Sequence, residues 1–303
     1  MMETFKIKKG LDIRLEGACT RETVDVQPAG EYALFPDDFH GIVPKVKVKE
    51  GEQVLVGTPL FVDKATESVR FVAPVSGTVT LVERGERRKV LSVRIKPDSA
   101  QAFKTFDVPD IRTASAEDMC RLLLESGIHA FLRQRPYDVV PTPGEMPKAI
   151  FVSTFSKMPL AADFSYVVKG QEEDFRMGIA ALSRIAKVYV GISPEQMGTF
   201  LSKLKNAEVN VFDGPNPSGL VGVQINHVSP VNKGEIVWTL GAEEVLFLGR
   251  LVRTGRVDFS RVIAFGGSEV KLPAYRRCKV GQSLDVLLDD ALKPAGHHVR
   301  VID

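Results

Sequence analysis

The chain is poor in the residues that most often announce chemistry. Its 303 residues include only three cysteines, Cys19, Cys120 and Cys278, far apart and with no C-x-x-C pair. That pattern argues against a disulfide framework, an iron–sulfur cluster or a thiolate zinc site, and each thiol reads as reduced and partly buried. No apolar run approaches the ~18–20 residues that cross a bilayer. The opening MMETFKIKKGLDI has no apolar signal core, so cytoplasmic residence is the default expectation. Charge of one sign is also missing. Forty Lys and Arg residues against 38 Asp and Glu leave a net charge of +2, which gives no electrostatic case for nucleic acid. The basic cluster Arg84–Lys89 (RGERRK) reads as a solvated hairpin turn.

What is present is the balance of a soluble globular protein, 44% hydrophobic and 26% charged, on a chain long enough for two or three domains. Residues 1–36 carry a strand candidate around Phe5–Lys8 and then irregular polar sequence. Residues 37–100 alternate in Val46–Lys49 and in Val90–Ile95, with turns at Gly51, Gly57, Gly77 and Gly85. Short strands joined by glycine turns predict a small all-β sandwich or barrel.

From residue 101 to 256 the period changes. Ser115 and Asp118 form a capping-box pattern that opens a helix ending at Gly127. Ala149–Ser153 reads as a buried strand, and Phe175, Ile179, Leu182 and Ala186 make the stripe of an amphipathic helix. A strand at Lys187–Gly191 precedes a helix predicted from Ser193, with Met197, Phe200, Leu201 and Leu204 on its apolar face. Strands at Val209–Phe212 and Ile236–Leu240 and a helix at Ala242–Val252 follow. Alternating strands and helices predict a parallel, doubly wound sheet. Residues 257–303 open with a strand at Arg261–Phe265 and close on His298–Asp303, which reads as a strand with nothing after it and suggests a chain cut short.

Several chemistries can be tested directly. The run Asp63-Lys64-Ala65-Thr66, followed by Ala73-Pro74-Val75-Ser76-Gly77, has the look of a lipoyl-carrier hairpin. Lys64, however, lies seven residues after Gly57 and ten before Pro74, short of the tip, which falls near Glu67. Lipoylation of Lys64 is therefore not expected. A dinucleotide or flavin site needs glycine after the first strand of the α/β region, so that backbone N–H groups approach phosphate. Thr154–Leu160 contains none. A glycine-rich loop, Asp213–Gly222, does follow the third strand, at the carboxyl edge where α/β sheets bind ligands. Its residues Gly214, Asn216, Pro217, Ser218 and Gly219 are contact candidates for a quinone or a partner, or turn residues whose Asn216 and Ser218 cap the next helix. No nucleophile stands out: Ser76 lies in a turn and G-x-S-x-G does not occur. His227, His297 and His298 are not spaced with carboxylates as metal ligands are, while Asp63, Asp163 and Asp213 are candidates to face one cleft.

The ordered pieces Ile7–Asp12 (IKKGLD), Val46–Gly51, Ala73–Val79, Arg84–Arg88, Arg133–Pro136, Pro159–Asp163, Gly170–Phe175, Gly214–Gly222, Val237-Trp238 and Gly249–Gly255 are collinear. In that order the sequence resembles the A subunit of the sodium-translocating NADH:quinone reductase. The resemblance implies a biotinyl/lipoyl-like β-domain (37–100), a Rossmann-like domain (101–256) and the start of an SLBB-like β-grasp domain (257–303). The last fits Val262–Gly266, Pro273 and Val280–Leu288. Family members are longer, which agrees with a C-terminal region beyond residue 303. The resemblance further implies a peripheral component on the cytoplasmic face of the bacterial inner membrane, docked on the membrane-embedded B subunit. Such a component has no redox centre of its own, helps form or guard the quinone site, and has ubiquinone as its candidate ligand. NADH, FAD, FMN and iron–sulfur centres belong to other subunits, as does the sodium path. The alternative is an Rnf-type NADH- and flavin-binding electron-transfer subunit, which uses a G-x-G-G-x-G-F-P loop. Here the matching stretch is Ser126–Arg133 (SGIHAFLR), whose side chains fill the space the glycines leave, and the iron–sulfur cysteines of that family are missing.

Overall fold

In a computed structural model, residues 2–294 and 297–302 are described. Strands β1 (Glu3–Lys6), β2 (Thr20–Asp25) and β3 (Tyr32–Leu34) open the chain. A β-rich stretch follows with β4 (Pro44–Val46), β5 (Gln53–Val54), β6 (Pro59–Asp63), β7 (Arg70–Val72), β8 (Gly77–Arg84) and β9 (Val90–Pro97). The α/β stretch comprises α1 (Ala116–Ser126), β10 (Arg133–Arg135), β11 (Ile150–Ser153), α2 (Phe164–Val167), α3 (Glu172–Leu182), β12 (Val188–Ile192), β13 (Glu208–Asp213), α4 (Val221–Val228), β14 (Val237–Thr239) and α5 (Ala242–Thr254). Strands β15 (Ser260–Phe265) and β16 (Ala274–Lys279) and helix α6 (Leu284–Leu288) complete it.

The β-rich unit is two antiparallel sheets, β3-β9-β8-β5 and β4-β6-β7, face to face. Its core is aliphatic and aromatic, with Leu60, Phe61, Phe71, Val93 and Ile95 almost fully buried. The basic RGERRK cluster forms the tight turn between β8 and β9, as its sequence predicts.

The second unit is a six-stranded sheet, β1-β13-β12-β11-β14-β10, parallel except for β10. Alternation along its strands sends Ile150, Val152, Val190 and Ile192 toward α1, α3 and α5, and Ala149, Phe151 and Val237 toward Ile225 of α4. Helix α1 has the predicted capping box: the Ser115 hydroxyl accepts the Asp118 N–H at 3.1 Å, and the Asp118 carboxylate accepts the Ser115 N–H at 3.1 Å. Gly127 ends it in the left-handed region at φ 79°.

The third unit is the sheet β15-β16-β2 beside α6. The first 36 residues therefore give one strand to each unit: β1 joins β13, β2 joins β16 and β3 joins β9. The polar stretch after Lys8, read as irregular, contains β2, whose six residues are all exposed and so carry no burial pattern.

Two expectations are corrected. The helix predicted from Ser193 is a pair of 3₁₀ turns, Pro194–Gln196 and Phe200–Lys203. The Gln196 side chain turns inward, accepting the Ser193 N–H at 3.0 Å and donating to the Thr154 carbonyl at 2.9 Å. Thr199 caps the second turn, so Gly198 and Thr199 break the run and Met197 is left exposed. The closing strand expected at His298–Asp303 does not form over His298–Ile302, and Asp303 lies outside the described residues.

Aromatic rings join the units. Phe61 and Phe71 stack at 4.7 Å in the β-rich core, Phe71 meets Phe39 at 4.6 Å, and Phe39 meets Phe131 at 6.4 Å. Phe131 in turn touches Phe247 of α5 at 5.7 Å and Phe259, just before β15, at 5.6 Å.

Candidate functional site

The Lys64 hairpin is organised by its aspartate. Asp63 is buried, and its carboxylate accepts the N–H groups of Val43 and Thr66, each at 2.9 Å, which shapes the turn after β6. Lys64 is exposed at the start of that turn, short of the tip. Glu67, further along the loop, bridges Lys45 and Lys47 at 2.5 Å each, and hydrogen bonds from these two ammonium groups pull its pKa down to about 2. A folded pKa below the unfolded value means that this clasp is present above about pH 4 and is lost as pH falls toward 2. An NMR titration should place the Glu67 midpoint near 2, and a midpoint above 4 would contradict the clasp. Replacing Asp63 by alanine strands two backbone donors and should cost about 2 kcal/mol in thermal or urea unfolding.

Asp63, Asp163 and Asp213 do not line one cavity: Asp163 lines one of about 470 Å³ beside Phe155 and Lys157, and neither Asp63 nor Asp213 is among its lining residues. Asp163 accepts from Arg21 at 2.7 Å and caps α2 through Ser165, while the Asp213 carbonyl receives the Ile7 N–H at 2.7 Å. His227 bonds the Val223 carbonyl within α4, and His297 and His298 are exposed.

The glycine-rich loop lies at the carboxyl end of β13, and its nearest neighbour is the chain's own N-terminal segment. The Leu11 N–H donates to the Asn216 carbonyl at 3.0 Å, and the Asn216 N–H donates to the Asp12 carboxylate at 2.7 Å. A Cβ on Gly214 (φ 143°) would lie 2.2 Å from the Ile7 carbonyl oxygen, and one on Gly10 (φ 155°) only 1.9 Å from that of Asn216. Gly219 packs on the Phe155–Lys157 backbone. Ser218 is fully buried and donates to the Gly214 carbonyl instead of capping α4, whose N-cap is Leu220. Asn216 and Pro217 are half-buried on the outer side. The glycines thus accommodate backbone against backbone. Gly10→Val should release residues 7–12 and expose them to proteolysis and hydrogen exchange, with β11 to β14 unchanged; unaltered protection of that segment would contradict this.

A better-formed site lies between the first two units. A cavity of about 420 Å³ is bounded by the hairpin at Ser68 and Arg70, by Cys120 and Leu124 of α1, and by Pro143 and Met146. His129 and Trp238, each 2% exposed, also line it, with ring centroids 6.0 Å apart and planes at 85°. His129 follows α1 in the 3₁₀ turn Ile128–Phe131, and Trp238 is held in β14 opposite Gln134 of β10. His129 Nε2 lies 2.8 Å from the Pro141 carbonyl oxygen. His129 Nδ1 and Trp238 Nε1 are buried with no partner among the described residues. Each such group costs about 1–3 kcal/mol while unsatisfied. Burial lowers the His129 pKa and raises that of the Cys120 thiol, so both remain neutral. Three cavities are larger, about 770, 680 and 470 Å³, but no unpartnered buried polar atom belongs to the described residues lining them. The sequence reading missed this site; its one signal was the SGIHAFLR stretch, where Ile128, Ala130 and Leu132 are buried and Arg133 donates to the Asp38 carbonyl at 2.9 Å.

This architecture matches described domain families. The NqrA N-terminal barrel-sandwich hybrid domain matches residues 5–98, and the NqrA second alpha/beta domain matches residues 114–257. The chain is a mixed α/β protein with a barrel-sandwich hybrid N-terminal domain.

Similar proteins extend the match over nearly the whole chain. The A subunit of the Na(+)-translocating NADH-quinone reductase of Hahella chejuensis is 36% identical over 301 residues, covering 98% of this chain and 67% of that protein. Its counterparts in Pseudomonas aeruginosa strain UCBPP-PA14 (36% over 297 residues, 97% and 66%) and Serratia proteamaculans (37% over 301 residues, 97% and 67%) behave alike. The chain belongs to this NqrA family, the A subunits of the Na(+)-translocating NADH-quinone reductase. It spans about two thirds of the length of these relatives. Among the described residues no helix is long and apolar enough to cross a membrane, and no group of His, Cys, Asp or Glu is arranged to hold a metal.

Proposed function

We propose that this chain is a peripheral component of a sodium-pumping NADH:ubiquinone oxidoreductase, seated on the cytoplasmic face of the bacterial inner membrane against the membrane-embedded B subunit. In this reading it carries no redox centre, and its part is to scaffold the complex and help form the quinone-side site. NADH, flavins and iron–sulfur centres are held by other subunits, which also carry sodium export. The observation that carries the reading is similarity along 98% of the chain to the named reductase component of Hahella chejuensis. The cavity beside His129 and Trp238 supports the quinone side, because an apolar cleft with a few fixed polar groups is what a quinone ring needs.

The finer fold assignments belong to the same proposal. The β-rich unit is lipoyl-like, with its hairpin as a docking surface and Lys64 unmodified. The order β13-β12-β11-β14 supports a Rossmann-like domain over residues 101–256. The sheet β15-β16-β2 with α6 supports the β-grasp assignment for residues 257–303. In the loop after β13, Asn216 and Pro217 are the residues proposed to meet a partner, with Gly214, Ser218 and Gly219 shaping it.

Pull-down of the tagged chain from gently solubilised membranes of its host tests the reading. Recovery of membrane subunits in fixed stoichiometry is expected, and recovery of the chain alone would overturn it.

A further inference from the structure

We propose that the segment Lys6–Glu16 is a lipid-contacting strap, which seats the chain directly on an anionic bilayer surface. The inference deepens the peripheral-membrane reading above and rests on it. Backbone contacts fix the strap in place. Gly10 lies against the Asn216 carbonyl, and the Leu11 N–H donates to the same oxygen at 3.0 Å. Just past the strap, the Gly17 carbonyl accepts the Gly267 N–H at 3.0 Å, which ties the chain to the turn after β15. Between these anchors Leu11, Ile13 and Leu15 are 72%, 57% and 56% exposed. They alternate with Asp12, Arg14 and Glu16, which are exposed too. Met158, whose sulfur lies 3.6 Å from the Asn216 amide nitrogen, adds a further exposed apolar side chain beside Leu11. Large aliphatic groups displayed together on a fixed backbone mark a contact surface more than chance exposure does.

Charge decides what that surface fits. Lys6, Lys8, Lys9 and Arg14 are exposed and have no ion-pair partner among the described residues. Four cations against the two acids Asp12 and Glu16 leave +2 on this short segment, equal to the net charge of all 303 residues. Asp12 is moreover engaged by the Asn216 N–H. The strap is therefore a basic spot on a chain that is otherwise balanced, and it complements an anionic lipid surface. Composition favours lipid over a protein partner. Protein interfaces are enriched in aromatic rings and depleted of lysine, whereas Lys6–Glu16 has three lysines and no aromatic residue. Aliphatic side chains among lysines are what interfacial binding uses: the former enter the boundary between headgroups and acyl chains, and the latter meet lipid phosphates. Each attraction is weak alone, and the two together give reversible seating.

The test uses the purified chain with vesicles of mixed phosphatidylglycerol and phosphatidylcholine, and with vesicles of phosphatidylcholine alone. Sedimentation should show saturable binding to the anionic vesicles, about ten-fold or more tighter than to the neutral ones, and weaker as salt screens the charge. Lys6→Gln, Lys8→Gln and Lys9→Gln combined should lower that affinity about ten-fold or more. Leu11→Ser, Ile13→Ser and Leu15→Ser combined should lower it by roughly ten-fold as well. All six positions are exposed, so both variants should melt with the native chain. Insertion is read separately. Emission from Ile13→Trp should be quenched by brominated acyl chains, while the native chain, whose sole tryptophan Trp238 is buried, should not respond. Absence of binding, equal binding to both vesicle types, native affinity in either variant, or unquenched Ile13→Trp emission would overturn the inference. So would an aliphatic variant that binds vesicles normally but no longer recovers membrane subunits, because the strap would then be a protein contact. If the aliphatic variant melts early, the lysine variant and the quenching still decide. Pull-down of the native chain reads subunits and these assays read lipid, so the inference and the functional reading fail separately.

Discussion

Replacing Gly249 by valine should destabilise the α/β unit by about 3 kcal/mol, among the larger single-site effects, because the helices α3 and α5 meet backbone to backbone. A Cβ on Gly249 would lie 1.7 Å from the Asp174 carbonyl oxygen, and one on Gly178 would lie 2.3 Å from that of Val245. Neither obstacle is the end of a flexible side chain, so relief requires the helices to separate. Separation would also pull on the ion pair of Arg253 with Asp174, at 2.7 Å, and on Arg250, which donates to the Asp258 and Ser260 carbonyls at 3.1 and 2.7 Å. The melting temperature should fall by roughly 6–12 °C. A variant that melts with the native chain would show that the two helices pack through side chains instead.

The second large effect is expected at Phe131. Its ring bridges Phe39 of the β-rich unit to Phe247 and Phe259 of the other two. Phe131→Ala should cost about 3 kcal/mol, since large aromatic truncations leave a cavity that surrounding backbone does not close. The distinctive consequence is loss of coupling. Val72 also packs on the same junction, against Gly127, but among the described residues no other ring touches both Phe39 and α5. Calorimetry should split one unfolding transition into two, with the β-rich unit melting separately. A single transition, shifted but undivided, would contradict a keystone role.

How much of this was legible in the sequence depended on whether the signal was local. The stripe Phe175–Ile179–Leu182 predicted α3 because its apolar face meets α5 at helical spacing. The capping box at Ser115 and the stop at Gly127 fixed α1 in the same way. The stretch after Ser193 carried an equally good cap, but Gln196 spends its side chain on Thr154, an interaction 42 residues away that no local pattern records. The glycine-rich loop was open to two readings for a related reason. Glycine marks close approach of something, and here the neighbour is the segment at Gly10, about two hundred residues earlier in the chain. The candidate site was the least legible. His129 and Trp238 are brought together only because β10 pairs antiparallel with β14, and the third wall comes from the hairpin at Arg70. The family resemblance fared better because it rests on ordered motifs along the whole chain, which survive errors in any one element.

The measurement that bears most directly on the functional account is electron transfer by the assembled complex with and without this chain. NADH oxidation should be followed once with ubiquinone and once with a soluble artificial acceptor that takes electrons upstream. If this chain helps form the quinone-side site, omission should bring sodium-stimulated quinone reduction down to background while the artificial acceptor is reduced at an undiminished rate, and returning the chain to the complex should restore the first. Full quinone reduction in its absence would contradict the account.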